Sequence, residues 1–114
     1  MARKKRERKR RRSAFRFDVA INGKRTCLAG TGEYGTLSLA VTRVRRDPNK
    51  CPESKSPQKW AREQCHLRVG ALTARYQEVW EKVRVEPGDE ITIRVLGGGT
   101  SEAPDQKYRA VKPR

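Results

Sequence analysis

The feature that most constrains the fold is the stretch 83–96, which predicts a strand, a tight turn and a second strand. Ile91, Ile93 and Val95 alternate with polar residues, so one face of the second strand can be buried while the other faces water. Pro87-Gly88 interrupts the pattern, because proline fixes φ and glycine tolerates the positive φ of a type II turn. The stretch therefore predicts β-structure.

A second signal of the same kind lies near the N-terminus. Apolar residues alternate with polar ones up to Asn22-Gly23, a pair typical of the two-residue type I′ turn of a β-hairpin. When strand pairs are counted outward from this turn, Val19 stands opposite Thr26, and Cys27 points away from the buried face. The two signals predict a mainly β fold, a small antiparallel sandwich or barrel-like domain over residues 13–114.

Two segments leave the choice between strand and helix open. Residues 36–45 fit either an alternating strand or one helix face, and residues 71–83 carry apolar residues at helical spacing without glycine or proline. The alternative fold is therefore an α+β domain with one helix near residues 71–83. In either case Tyr76 and Trp80 are expected to lie in the core.

Residues 47–64 are predicted to form an exposed loop. The segment is polar and contains three prolines and several lysines. Ser56-Pro57 is suited to begin one helical turn that ends at Trp60, since serine caps helix N-termini and proline fits the first helical position. Trp60 is expected to cover a sheet edge rather than to stack on a nucleobase.

The C-terminal part of the chain predicts one more strand. Residues 97–101 begin with three glycines and are expected to form a flexible connector. Residues 108–111 are predicted to add an edge strand. If this strand lay beside the first one, the basic residues near both ends of the chain would form one positive surface.

The strongest charge feature is the segment of residues 1–12. It holds nine basic residues and one acidic residue, or +8 of the formal net charge of +15. Self-repulsion and the shortage of apolar side chains predict that this arm is disordered when free. A polycation of this kind follows nucleic-acid phosphates without reading sequence. The candidate nucleic-acid-binding residues are Arg3, Lys4, Lys5, Arg6, Arg8, Lys9, Arg10, Arg11 and Arg12.

No catalytic or metal-binding pattern is predicted. Gly30–Gly35 has GxGxxG spacing, but it lacks the βαβ context of a dinucleotide-binding fold. The cysteines and His66 are poorly spaced for zinc, and adjacent Cys65 and His66 project to opposite faces of a strand, which also argues against a Cys–His nucleophile. The chain is therefore expected to be non-enzymatic, with no metal and no cofactor.

Cysteine usage and hydropathy predict a compartment. Three cysteines at irregular spacing favour reduced thiols over a secreted disulfide framework. No stretch approaches the roughly 18 apolar residues of a membrane span, and the basic start is not followed by the apolar run of a signal peptide. The protein is expected to be cytoplasmic.

Short motifs spread over residues 15–96 carry a family resemblance. They are Ile21-Asn22-Gly23-Lys24, Cys27-Leu28-Ala29-Gly30, Gly35-Thr36-Leu37-Ser38, Arg45-Arg46-Asp47-Pro48, Leu67-Arg68-Val69-Gly70-Ala71-Leu72, Trp80 and Pro87-Gly88-Asp89-Glu90-Ile91. Together they resemble a group of short bacterial proteins with no assigned function. The resemblance implies a buried strand at residues 36–45 and a strand pair around residues 71–83, with Trp80 entering a last hairpin. It implies no catalytic residue, and the long basic arm departs from the group.

The predicted function is therefore binding rather than catalysis. The leading hypothesis is a non-enzymatic cytoplasmic protein whose β domain positions the arm for non-specific binding to DNA or RNA. The alternative is a protein–protein interaction module or accessory protein with a solvated basic tail, in which edge strands or the region of Trp60 and Trp80 make the contact. The choice between DNA and RNA does not follow from the sequence.

Overall fold

The computed structural model describes residues 8–109 and shows a mainly β protein, as predicted. Besides the strands it contains a 3-10 turn at Pro48–Lys50 and a short helix, α1, at Pro57–Trp60. Residues 36–44 and 76–84 are strands, so the alternative helix near residues 71–83 is excluded. The strands are β1 (Arg10–Ser13), β2 (Phe15–Ile21), β3 (Lys24–Thr31), β4 (Thr36–Val44), β5 (Gln64–Leu72), β6 (Tyr76–Arg84), β7 (Ile91–Leu96), β8 (Gly99–Glu102) and β9 (Gln106–Arg109).

The strands form antiparallel sheets that enclose one apolar core. One sheet has the order β3-β2-β7, a second has the order β4-β5-β6-β9, and β1 pairs with β8. Alternate side chains of the first two sheets face each other, which is the arrangement of a β-sandwich. The buried core consists of Val19, Cys27, Ala29, Leu67, Val69, Ala71, Trp80 and Val85.

The Pro87-Gly88 turn has the predicted geometry but joins two different sheets. Gly88 has a φ of 95°, and the amide of Asp89 donates to the carbonyl of Glu86 at 3.0 Å, as in a type II turn. However, β6 pairs with β5 and β9, whereas β7 pairs with β2. The expected last hairpin is therefore not formed. Val85, buried in the core beside the turn, marks the point where the chain crosses from one layer of the sandwich to the other.

The two tight turns are hydrogen-bonded to each other. Asn22 and Gly23 have φ values of 53° and 81°, which confirms the type I′ turn between β2 and β3. The side chain of Asn22 donates to Asp89 at 3.0 Å and accepts from the amide of Glu90 at 2.9 Å. The carboxylate of Asp89 also accepts a hydrogen bond from the backbone amide of Glu86 at 2.8 Å. The hydrogen bond from Asn22, followed by the one from Glu86, lowers the pKa of Asp89. The first hairpin thus holds the crossover turn in place.

The register of the first hairpin differs from the prediction by one residue. Ala20 pairs with Arg25 as expected, but Val19 pairs with Cys27, because Thr26 is bulged out of the ladder. The hydroxyl of Thr26 donates to the carbonyl of Val19 at 3.2 Å instead. Cys27 therefore joins Val19 in the core and is fully buried, which corrects the expectation that it points away.

The segment predicted as a disordered arm divides at Arg8. Residues 1–7 lie outside the described residues, whereas Arg10–Ser13 form β1, which pairs with β8 at Gly99–Glu102. The prediction of disorder is therefore wrong for residues 8–12, and that of a flexible connector is wrong from Gly99 onward. Both expectations were based on local composition, but the strands are stabilised by contacts with residues far away in the sequence.

The β1–β8 pair covers the outer side of β3 at Gly30. The hydroxyls of Ser13 and Ser101 are buried and lie 2.6 Å apart. A Cβ atom at Gly30 would lie 2.5 Å from Ser13 Oγ and 2.7 Å from Ser101 Oγ. The first glycine of the GxGxxG pattern is therefore explained by close packing of a strand.

The two large aromatic residues of β6 have different environments. Trp80 is fully buried, and its indole N–H donates to the carbonyl of Glu102 at 2.7 Å, as expected of a core residue. Tyr76 is 37% exposed, which corrects its predicted core position. The ammonium of Lys107 lies 4.1 Å from the centroid of the Tyr76 ring.

The connection between β4 and β5 is the predicted exposed loop. Ser56 precedes α1 and Pro57 lies in its first turn, although the Ser56 side chain makes no capping hydrogen bond. Trp60 belongs neither to the buried core nor to the partly buried apolar side chains packed against it. Its predicted role as a cover for a sheet edge stays a prediction.

Among residues 8–109, no helix is long and apolar enough to span a bilayer.

Candidate nucleic-acid interface

The outer face of the β4–β5–β6 sheet carries four basic or titratable side chains close together. Strand pairing places Arg68 opposite Lys82 and His66 opposite Arg84. The two arginines and Lys82 are exposed, and His66 is half-buried. Since residues two apart on a strand lie about 7 Å apart on the same face, these four side chains form one patch, here called the basic face.

A β-bulge in β6 determines which side chains reach the basic face. The pairing of β5 with β6 shifts by one residue at Trp80. Trp80 is buried, and Glu81 forms an ion pair with Arg8 on the inner side of the sheet. Without the extra residue, Glu81 would stand opposite Arg68. The bulge places Lys82 there instead, so a basic side chain replaces an acidic one.

Next to Arg68, the outer face has a shallow depression of about 340 Å³. It exists because the neighbouring side chains are small and because Gly70 has none. A Cβ atom at Gly70 would lie 2.9 Å from the carbonyl oxygen of Glu78, so glycine is also required by the close approach of β6. The hydroxyl-bearing and small residues of β4 that line the depression are Thr36, Ser38 and Ala40.

The charge arrangement of the basic face is unfavourable in the free protein. Like charges directly opposite each other on neighbouring strands destabilise a sheet. Within the part of the chain that the structure describes, no ion pair joins Arg68, Lys82 or Arg84 to a carboxylate. Arg84 lines a second depression with Glu63 and Glu86, whereas Arg68 lines the first depression with Glu78, whose carboxylate is bound by Arg11. A bound anion would remove this repulsion.

Comparison with known proteins adds no relative. No protein-family model matches the chain, and neither the curated proteins nor the solved structures contain a significant match. The resemblance to the group of bacterial proteins stays a prediction. The geometry of the chain itself is therefore the basis for assigning a function.

Arg8, one of the nine predicted arm residues, is part of the folded domain. Its guanidinium makes two hydrogen bonds to Asp105, at 2.8 and 2.9 Å, and lies 3.3 Å from Glu102 and 3.5 Å from Glu81. It also donates to the carbonyl of Trp80 at 2.9 Å. Burial by itself would lower the pKa of Arg8, but the hydrogen bond and the charge of Asp105, together with the charge of Glu102, outweigh burial and raise it. Its donors are occupied by the protein.

Arg11 is likewise engaged in the fold. Its guanidinium binds Glu78 with two hydrogen bonds, of 2.8 and 2.9 Å, and donates to the carbonyl of Gly30 at 2.9 Å. It also lies 5.4 Å from the centroid of the Trp80 ring. The carboxylate of Glu78 is almost fully buried, so Arg11 compensates a charge that would otherwise be costly.

The remaining candidate residues fall into two groups. Arg3, Lys4, Lys5 and Arg6 lie outside the described residues. Lys9, Arg10 and Arg12 are exposed and remain candidate phosphate contacts. However, the side chains of Arg8 and Arg11 reach Glu81 and Glu78 on the inner side of β6, so β1 and the basic face lie on different sides of this sheet.

The two ends of the described chain do not form the joint positive surface considered above. The last strand, β9, pairs with β6, whereas β1 pairs with β8. Residues 110–114 lie outside the described residues. β1 and β9 are therefore not paired, so strand pairing does not bring the two basic ends of the chain together.

The cysteines and His66 occupy separate environments. Cys65 packs against the core, whereas His66 points to the outer face, as predicted for adjacent strand residues. Cys51 lies in the loop, and its thiol contacts the carbonyls of Pro52 and Lys55. Among the described residues, no group of three or more histidine, cysteine or acidic side chains could hold a metal ion.

We expect Cys27 to react with a thiol reagent only when the protein unfolds. Burial raises the pKa of Cys27 to about 11, so near pH 8 its thiol is both inaccessible and protonated. Titration of native protein with a chromogenic disulfide should label Cys51 and Cys65 quickly and Cys27 only after denaturant is added. A Cys51→Ser/Cys65→Ser variant should show no fast labelling. Rapid labelling of this variant in the native state would contradict the buried position of Cys27.

The basic face was missed by the sequence analysis. His66 and Arg68 lie two positions apart in the sequence, as do Lys82 and Arg84. This spacing indicates a basic face on each strand. Their pairing could not be seen, because it depends on the bulge at Trp80. A bulge of this kind leaves no distinctive residue pattern in the strand that contains it.

Proposed function

We propose that the protein binds nucleic acid through phosphate contacts made by the basic face, and that it acts as a binding protein without catalysis. The observation that carries the proposal is the directly opposed Arg68–Lys82 pair, which has no ion pair with a carboxylate among residues 8–109. An arrangement that destabilises the free sheet is favourable once a polyanion lies across it.

Binding at this face would be insensitive to base sequence. Arg68, Lys82 and Arg84 would contact phosphate oxygens and displace condensed counterions, which gives steep salt dependence. The hydroxyls of Thr36 and Ser38 in the adjacent depression are suited to contact sugar or phosphate oxygens. The net charge of +15 adds long-range attraction, to which Lys9, Arg10 and Arg12 contribute from the other side of the sheet.

Neutralising the centre of the basic face should weaken binding strongly. An Arg68→Gln/Lys82→Gln variant is expected to lower the slope of log affinity against log salt by about 2, because each lost phosphate contact removes about 1. The measurement is fluorescence anisotropy with labelled DNA and RNA at about 50 and 200 mM salt, the range in which multi-phosphate binding falls steeply. DNA and RNA are tested side by side to identify the preferred ligand.

A matched variant separates position from total charge. Lys24 and Arg94 are exposed basic residues of the β3-β2-β7 sheet. The Lys24→Gln/Arg94→Gln variant has the same formal net charge as the Arg68→Gln/Lys82→Gln variant, +13 instead of +15. It should bind nucleic acid nearly as well as the unchanged protein. Equal losses in both double variants would show that only total charge matters and would refute the basic face as the site.

If the unchanged protein shows no binding at about 200 mM salt, the proposal fails. The interaction-module alternative would then have a structural candidate. Phe15, Ile93 and Val95 of β2 and β7 are 44%, 43% and 63% exposed, although they are apolar. Trp80 is fully buried, so it would not take part in that contact.

A further inference from the structure

The loop between β4 and β5 contains a depression with an aromatic wall and basic surroundings. Its volume is about 370 Å³. Trp60 supplies the aromatic surface, and the guanidinium of Arg46 lies 5.9 Å from the centroid of the indole ring. The remaining lining residues are Lys55, Ser56 and Lys59, and none of the acidic residues between positions 8 and 109 lines the depression. This site is here called the Trp60 pocket.

Packing in the apolar core does not explain the position of Trp60. The side chain lies outside the core cluster, on a helical turn of four residues that contacts the neighbouring 3-10 turn. The contact with Arg46 is close to the outer limit of about 6 Å for a cation–π interaction, so it holds the indole weakly. Trp60 is half-buried and lines the depression, so the exposed part of its indole ring faces a space that a ligand can enter.

The chemistry of the pocket selects one kind of ligand. An indole ring and a guanidinium plane both stack on nucleobases, and lysine side chains contact phosphates. Bases in a duplex are stacked inside the helix and do not present a free face to a surface indole. From this geometry we infer that the Trp60 pocket binds an unpaired base of a single-stranded nucleic acid, while Lys55 and Lys59 contact the phosphates on either side of it.

The pocket and the basic face are connected through the fold. Val44 pairs with Gln64, so the loop leaves the sheet at the end where His66 and Arg84 lie. Residues 45–62 contain six basic and two acidic residues, which continues the positive charge of the basic face into the loop. A strand with one base on Trp60 could therefore extend its phosphates toward Arg84 and Arg68. The inference is based on the proposed function and adds a preference for single strands.

The inference predicts a selective effect of Trp60. Stacking of one base contributes about 1–3 kcal/mol, so Trp60→Ala should weaken binding of a single strand of about 12 nucleotides by roughly tenfold. Binding of the matching duplex should change by less than about twofold. Trp60→Phe should keep most of the affinity, because a phenyl ring also stacks. Tyr34, which is 82% exposed, supplies the control variant Tyr34→Ala, which should behave like the unchanged protein.

An abasic strand tests stacking from the side of the ligand. This strand keeps the phosphates and lacks the bases, so the unchanged protein and Trp60→Ala should bind it equally. Intrinsic fluorescence provides a second measurement: a normal single strand should quench Trp60, and the emission that remains in Trp60→Phe, from the fully buried Trp80, should not respond. DNA and RNA strands are compared in both experiments, and circular dichroism confirms that each variant is folded.

The outcomes distinguish this inference from the proposed function. In one outcome the unchanged protein binds at about 200 mM salt, but Trp60→Ala lowers the affinity for single strands and duplexes equally or changes neither affinity. The pocket then does not stack a base, and the inference fails while the proposed function stands. If the unchanged protein binds neither ligand at this salt concentration, the proposed function fails. A loss confined to base-containing single strands, restored by Trp60→Phe, supports both.

Discussion

Replacing Arg8 with alanine is expected to lower the free energy of unfolding by about 3 kcal/mol, because removing one partner of a buried ion pair leaves the other charges uncompensated. The side chain of Arg8 is only 12% exposed and lies among Glu81, Glu102 and Asp105. The figure is at the low end of the range for buried pairs, because Asp105 is 35% exposed and solvent screens part of its interaction. The hydrogen bond to the carbonyl of Trp80 is lost as well.

The loss should depend on pH in a defined direction. Burial raises the pKa of Glu81, and the charge and hydrogen bond of Arg8 oppose this rise. Without Arg8 the pKa of Glu81 should rise further. A group with a raised pKa in the folded state contributes stability that is present below its unfolded pKa and is lost as the pH rises through the folded value. The Arg8→Ala variant should therefore be affected more at pH 7 than near pH 4.

Urea unfolding of three matched proteins tests this role of Arg8. Arg8→Lys keeps the positive charge but loses the forked hydrogen bonds to Asp105, so its stability should be intermediate. A shortened chain that begins at Arg8 retains every contact described for the segment and should be as stable as the full chain. A chain that begins at Ser13 lacks Arg8 and Arg11 and should be at least as unstable as Arg8→Ala. A loss below about 1 kcal/mol in Arg8→Ala would place Arg8 among ordinary surface ion pairs.

This result also determines how the arm can be tested for nucleic-acid binding. Removal of residues 1–12 would take away three of the four residues of β1 together with Arg8, so a loss of binding could simply reflect unfolding. Removal of residues 1–7 takes away four basic residues and one acidic residue, which lowers the formal net charge from +15 to +12, and spares β1. Only the shorter deletion separates the charge of the arm from the stability of the domain.

Local turn chemistry was predictable from the sequence, whereas strand partners were not. The Asn22-Gly23 and Pro87-Gly88 turns have the expected positive φ values at Asn22, Gly23 and Gly88, because the conformational preferences of these residues act within four residues of chain. The partner of β7 could not be inferred, since alternation of Ile91, Ile93 and Val95 indicates which face is buried but not which strand lies alongside. Pairing between distant segments is a property of the whole fold.

The functional assignment of the basic residues shows the same limit. Arg8 and Arg11 look identical to their neighbours in a run of positive charge, and only the folded chain brings Glu78 and Asp105 to them. Conversely, Arg68 and Lys82 are separated by 14 positions, and no local pattern shows that they stand opposite each other. Net charge led to the hypothesis of a polyanionic partner, which stays a prediction, and the assignment of individual cations depends on tertiary contacts.

Arg68→Glu is expected to make the domain more stable while weakening the proposed binding of nucleic acid. In the present sheet Arg68 stands opposite Lys82, a like-charged cross-strand pair. Glutamate at this position would convert repulsion into attraction, and cross-strand ion pairs contribute about 0.2–1 kcal/mol, so the free energy of unfolding should rise by about 0.5–1 kcal/mol. At the same time a carboxylate at the centre of the basic face would repel phosphate and lower affinity by more than about tenfold.

Arg94→Glu is the matched control, because it has the same change of charge at a site with the opposite surroundings. Arg94 stands opposite Asp18, whose pKa is lowered first by its hydrogen bond with Arg25 and further by the charge of Arg94. Glutamate there should destabilise the sheet and weaken nucleic-acid binding far less than Arg68→Glu. Urea unfolding at low and high salt, paired with anisotropy, measures both quantities, and the stability difference should shrink as salt screens the charges. If Arg68→Glu lowered the free energy of unfolding or left the affinity for nucleic acid unchanged, this model of the Arg68–Lys82 pair would be wrong. The pair would then not be a binding site whose like charges destabilise the free protein.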